Sequence, residues 1–253
     1  MKRVIEEMAK AKGDVERRYR IAIPEIIREC KAFAYLGKSF TFNINQDLEN
    51  RVNERLISLS DEILLDIEER AKKVIQYANE EEDEDEILLY IGRRIGDENM
   101  VERVDKHCST LRFFLEGWIA IGMVNNIADH ILTNTIISYI GNPMASQLWR
   151  DAINDGYISN AIRGRYIYGK GNHKDTIEGH AAIERYAINE AYQYGMILNY
   201  RKAGAIGYRT RRNSNYDCPL CDDLTTRIYP LNVIVLPAHP GCVCSSIPVF
   251  KEE

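Results

Sequence analysis

Four of the chain's six cysteines fall within its last 36 residues, and a histidine accompanies them. Cys218 and Cys221 form a C-x2-C pair; after seventeen intervening residues comes H-x2-C-x-C, made of His239, Cys242 and Cys244. A C-x2-C turn places two thiols on one side of a tight loop, as a tetrahedral metal ion requires. Pro219 stiffens that loop, and Pro240-Gly241 make a second turn between His239 and Cys242. Two such loops facing each other supply four ligands from five candidates. Cys218, Cys221 and His239 are three, with Cys242 or Cys244 as the fourth. Sulfur and imidazole favour zinc over magnesium or calcium. With every position filled by protein, such a zinc is structural. A disulfide, or free thiols packed in a hairpin core, are the alternatives.

This cluster constrains the fold because the text around it has little else to hold it together. After Gly204 the sequence becomes turn-rich, and five of the seven prolines lie from Pro219 onward. AIGYRTRR alternates like a strand, CPLCDD reads as a turn, TTRIYPL and NVIVLP as short extended pieces, and VCSSIPV as a closing strand. A segment of about 45 residues with few large apolar side chains does not offset its ordering entropy unaided.

The first two-thirds is helical text. Val4, Met8, Val15, Tyr19 and Ile23 recur at helical spacing, with Pro24 expected to kink or restart the helix. Leu48, Val52, Leu56, Ile57, Leu64, Ile67, Ala71 and Ile75 are expected on one face of a helix over Gln46 to Ala78. A short helix is expected over 87–94. The segment from Asp97 to Ile140 is apolar nearly all round, the mark of a buried helix or pair of helices. A short helix ends near Asp155, and a Gly-, Tyr- and Arg-rich connector leads to a helix from Ile177 to about Ala203. The expectation is a predominantly α-helical α+β chain in three parts: an N-terminal helical region over 1–95, a central helical core over 96–204, and a β-rich Cys/His module over 205–253. Cys30 and Cys108, alone on helices, read as small buried hydrophobes.

The C-terminal pattern resembles the signature of the phage Mu F-like minor head (head morphogenesis) proteins. Its carriers are the helix AINEAYQYGMILNYRKAG, the strand IGYRT, Cys218-Pro219-x-Cys221, Leu224, Pro237-x-His239-Pro240-x-Cys242-x-Cys244 and Pro248-Val249. The likeness covers about residues 150–250. Tyr208 stands near the aromatic usual before the first cysteine, Thr226 where glycine is common, and Val243 where a basic residue often lies. The resemblance implies a virion protein without catalysis, inside the head near the portal, assisting assembly and DNA packaging or ejection. Its partners would be the portal and other head proteins, and it would pass through the host cytoplasm during assembly.

Charge bears on those partners. The net charge of −5 argues against a protein that coats nucleic acid generally, and residues 80–86 are an unbroken acidic run, EEEDEDE. Residues 161–215 carry ten basic and four acidic side chains, hence +6. Within them Arg201, Lys202, Arg209, Arg211 and Arg212 are a candidate patch for packaged DNA or an acidic partner. A solvated surface is the plainer reading of the same residues.

No catalytic constellation stands out. His180 and Glu184 are spaced i, i+4 without the H-E-x-x-H of a metalloprotease and read as surface residues. Gly164, Gly169 and Gly171 with Arg163, Arg165 and Lys170 lack the phosphate-loop order. A prophage effector or toxin acting on nucleic acid, or a cytosolic zinc-binding interaction module, are the competing functions. The charged start MKRVIEEMAKAKGD reads as a helix rather than a signal peptide, and no run of about eighteen apolar residues predicts a membrane span.

Overall fold

The computed structural model describes residues 2–33, 40–78, 99–140, 143–156, 177–213, 217–239 and 242–251. The acidic run, the helix expected at 87–94, most of the Gly- and Arg-rich connector, and the Pro240-Gly241 turn lie outside them. The chain is predominantly helical with a small C-terminal sheet. Its elements are α1 (Lys2–Ala32), α2 (Gln46–Ala78), α3 (Met100–Val124), α4 (Asp129–Tyr139), α5 (Gln147–Asn154), α6 (Ile177–Lys202), β1 (Gly207–Arg211), α7 (Pro219–Leu224), β2 (Ile228–Tyr229) and β3 (Ser245–Val249). Among the described residues no helix is long and apolar enough to cross a membrane.

Three expectations need correction. Helix α1 runs on through Pro24 instead of restarting. Tyr19, Ala22, Ile23, Ile26 and Ile27 are buried around it, and that burial outweighs the roughly 3 kcal/mol a mid-helix proline costs. The segment CPLCDD is a short helix, not a turn, with Cys218 as its extended N-cap residue and Pro219 in its first turn, where a missing N–H is harmless. Ile57, expected on the apolar face of α2, is exposed instead.

Contacts divide the chain into two compact units. One comprises residues 12–63 and 102–180. Its core holds Tyr19, Ile23, Leu48, Leu59, Leu115 and both tryptophans. The Trp118 and Trp149 rings lie 4.9 Å apart, and a Cβ at Gly117 would fall 2.7 Å from the Trp149 ring, so the smallest residue stands there. Buried Glu116 accepts the Phe42 N–H at 2.9 Å, and burial raises its pKa. Cys30 and Cys108 are buried as expected, their thiols pushed up to about 12 by desolvation.

The other unit comprises residues 1–11, 64–101 and 181–253. Val4 and Met8 of α1 pack with Ala71, Val74 and Ile75 of α2 and Ile188 and Ala191 of α6. Gly195 lets α6 approach α2 closely: a Cβ there would sit 2.9 Å from the Ala78 Cβ and 3.2 Å from the Ile75 carbonyl. Buried Glu184 was expected at the surface; it pairs instead with Arg70 at 2.9 Å. Arg70 also holds Glu7 at 2.8 Å. Burial nevertheless raises the Glu184 pKa to about 7, with Arg70 opposing the shift. His180, likewise expected outside, is buried against the Tyr19 hydroxyl in the first unit.

Gly204, at φ +79°, ends α6 and turns the chain into β1. The sheet is antiparallel in the order β2-β1-β3, with Tyr208 opposite Tyr229 on one side and Pro248 on the other. Alternation along β1 buries Tyr208 and Thr210 and exposes Arg209 and Arg211.

Candidate metal centre

Each ligand candidate is placed by a different local device. Cys218 ends an extended stretch and Cys221 sits one helical turn later in α7, so both thiols face the same way. The Asp222 N–H donates to the Cys218 carbonyl at 2.9 Å, closing that turn. His239 follows a loop held by Tyr208, whose hydroxyl donates to the Val233 carbonyl at 2.7 Å and accepts the Val235 N–H at 3.1 Å. The Cys242 N–H then donates to the His239 carbonyl at 3.0 Å, turning the chain back toward Cys221.

The side chains converge. His239 Nε2 lies 3.4 Å from Cys218 Sγ and 3.4 Å from Cys221 Sγ. Cys221 Sγ lies 3.8 Å from Cys242 Sγ. Two groups have their ligand atoms within 4.8 Å of one another: Cys218, Cys221 and His239, and Cys221, Cys242 and Cys244. Cys221 belongs to both. The cysteines are free thiols, so the disulfide alternative finds no support in the structure. All four are buried around a single aliphatic residue, Leu236, with Leu224, Val235 and Ala238 at the margin.

A cluster of buried thiols resists ionisation. Desolvation and then the neighbouring Cys218 and Cys244 push the Cys221 thiol well above its ordinary range. Desolvation and Cys242 raise Cys244. A cation reverses this balance, since metal ligation removes the proton and neutralises the mutual repulsion of thiolates. The cluster can therefore hold a metal ion.

The five basic residues differ in their surroundings. Arg201 donates to the Leu231 carbonyl at 2.6 Å, and Arg212 pairs with Asp222 at 2.5 Å. Lys202 is exposed at the end of α6. Arg209 and Arg211 alone stand side by side on the exposed face of β1. On that face Arg209 lies between Ile228 and Ile247, both more than two-fifths exposed. Tyr200 and Tyr208 are core residues and offer no stacking surface.

The sequence reading missed the partners that α6 supplies to the centre. Asn189 Nδ2 donates to the Cys242 carbonyl at 2.5 Å, and Gln193 Nε2 to the Cys244 carbonyl at 3.2 Å. Both side chains are buried. Their sequence setting, one turn apart on a helix beside Ala187, Ile188 and Ala191, signals burial but not the backbone they meet.

Comparison with protein-family models, curated proteins and solved structures finds no match.

Proposed function

We propose that this chain is a non-enzymatic minor head protein of a tailed phage or prophage, and that its C-terminal centre carries a structural zinc. The observation that carries this reading is the convergence of the spaced motif. Residues far apart in the order C-P-x-C, then P-x-H-P-x-C-x-C, bring sulfur and imidazole atoms into two overlapping groups that share Cys221. The distances suit a tetrahedral ion of zinc's size. Zn–S near 2.3 Å and Zn–N near 2.0–2.1 Å imply edges of about 3.8 Å between sulfurs and about 3.5 Å between sulfur and nitrogen. The distances of 3.8 and 3.4 Å are close to both. Five donors for four positions leave no place for water or substrate, so the ion would staple the fold and not catalyse.

In this reading the protein passes through the host cytoplasm and resides inside the capsid near the portal, with portal and other head proteins as partners. It assists assembly and DNA packaging or ejection. Arg209 and Arg211 are the residues to touch packaged DNA or an acidic partner, and such binding would weaken as salt rises. Particle composition is the test. Co-purification with portal and major capsid proteins, with about one zinc per chain by elemental analysis, is expected. Absence of the chain from intact particles would overturn the head-protein reading; absence of metal from the purified chain would overturn the zinc.

A further inference from the structure

The segment Cys242–Cys244 precedes β3 and has no strand beside it. Its carbonyls nevertheless have partners, and every partner is an amide side chain. Asn189 and Gln193 of α6 take the carbonyls of Cys242 and Cys244. From the opposite edge, Asn213 Nδ2 takes the intervening Val243 carbonyl at 3.0 Å. This alternation is that of an extended strand, in which successive carbonyls point to opposite edges.

The match between helix and segment is metrical. Residues i and i+4 of a helix are about 6 Å apart along its axis. Alternate residues of a strand are about 6.6–6.8 Å apart. Asn-x3-Gln on a helix can thus serve Cys-x-Cys on an extended chain, carbonyl for carbonyl. The chain of bonds also has a direction. Ser246 Oγ donates to Gln193 Oε1 at 3.0 Å, and Gln193 Nε2 is shared between the Cys244 carbonyl and Asn189 Oδ1, 3.3 Å away. With both amide oxygens occupied as acceptors, the amide hydrogens of both residues are left to face the cysteine carbonyls.

We propose that Asn189 and Gln193 are positioning residues of the metal centre: they hold Cys242-Val243-Cys244 extended, so that its thiols stand beside Cys221 before an ion arrives. The inference rests on the metal reading above. Its consequence is that metal affinity is set partly by a helix that contributes no ligand. Groups that orient ligands from behind are worth about tenfold to a hundredfold in affinity.

The test uses the full chain and zinc or cobalt(II) alone, in competition with a chelator of known affinity. Asn189→Leu and Gln193→Met keep the bulk and remove the donors; Asn189→Ser replaces the first if it does not fold. Each should bind zinc tenfold to a hundredfold more weakly and lower the thiolate-to-cobalt charge-transfer band. Tyr200→Phe is the control. It removes the hydrogen bond from α6 to the Ser246 carbonyl, 2.8 Å long, and should cost stability while leaving affinity within about twofold. Unchanged affinity in the Asn189 and Gln193 variants, or an equal loss in Tyr200→Phe, overturns the positioning role and leaves the zinc intact. A wild-type chain that takes up neither ion overturns both.

Discussion

Cys221 is the residue whose loss should be least tolerated. It belongs to both groups of converging ligand atoms. Replacing it with serine leaves Cys218 with His239 on one side and Cys242 with Cys244 on the other, two donors each, and neither pair closes a tetrahedral site. Losing Cys218 still leaves the other three cysteines, and losing Cys244 still leaves Cys218, Cys221, His239 and Cys242. The cost is therefore graded. A structural zinc contributes on the order of 10 kcal/mol in small modules, and Cys221→Ser should forfeit most of it. The apolar cluster around the thiols contains one fully buried leucine, worth roughly 2–3 kcal/mol, and does not make up the difference. Both tryptophans lie in the unit of residues 12–63 and 102–180, so their fluorescence reports on that unit and not on the cysteines. In Cys221→Ser, hydrogen exchange over residues 205–250 should accelerate by several orders of magnitude while the tryptophan melting curve stays in place. A variant that keeps one bound zinc and wild-type protection over those residues would refute the reasoning.

Glu184 has a folded pKa near 7, above its ordinary value of 4.5. The native state then binds more protons than the unfolded state between those values, so stability should fall as pH rises from about 4.5 to 7, by on the order of 1–3 kcal/mol. Denaturant melts across that range should show the decline, and Glu184→Gln should flatten it; an unchanged slope in the variant would assign the dependence elsewhere. Gly195→Ala forces a methyl against the Ile75 backbone and should destabilise by about 1–3 kcal/mol in urea melts, whereas a gain in stability would show that α6 can back away. Tyr208→Phe strips the Val233 carbonyl and Val235 N–H of their shared partner, at about 1–3 kcal/mol. It should also weaken zinc binding through the loop that carries His239, and wild-type affinity would deny the loop that role.

The sequence made helices legible where one face is apolar. The bounds of α2 follow from its row of aliphatics, and β1 from alternation. The expectation failed where tertiary burial overrode a local signal. Pro24 is a helix breaker by itself, but not inside a helix packed by Tyr19, Ile23 and Ile27. Ile57 is aliphatic and reads as part of the buried row of α2, yet it is exposed. Of the centre, the ligand candidates were readable from spacing, because tight turns fix thiol geometry locally. Asn189 and Gln193 were not, since a helical amide declares nothing about the backbone it meets some fifty residues away. Glu184 and His180 hid for the same reason: a charged residue reads as exposed until its buried partner is known.

Pro248 gives β3 an asymmetry that reaches beyond a single chain. The Ile206 N–H donates to the Val249 carbonyl at 2.8 Å, so Val249 points its backbone groups at β1 and Pro248, one residue back, points its own away. The missing N–H therefore lies on the margin of β3 away from β1, the side on which the Tyr200 hydroxyl already takes the Ser246 carbonyl, so a visiting strand would find no donor there. A short, three-stranded sheet flanked by exposed Ile206, Ile247 and Phe250 would otherwise be a template for cross-chain pairing. The imino ring makes that margin a poor one to copy.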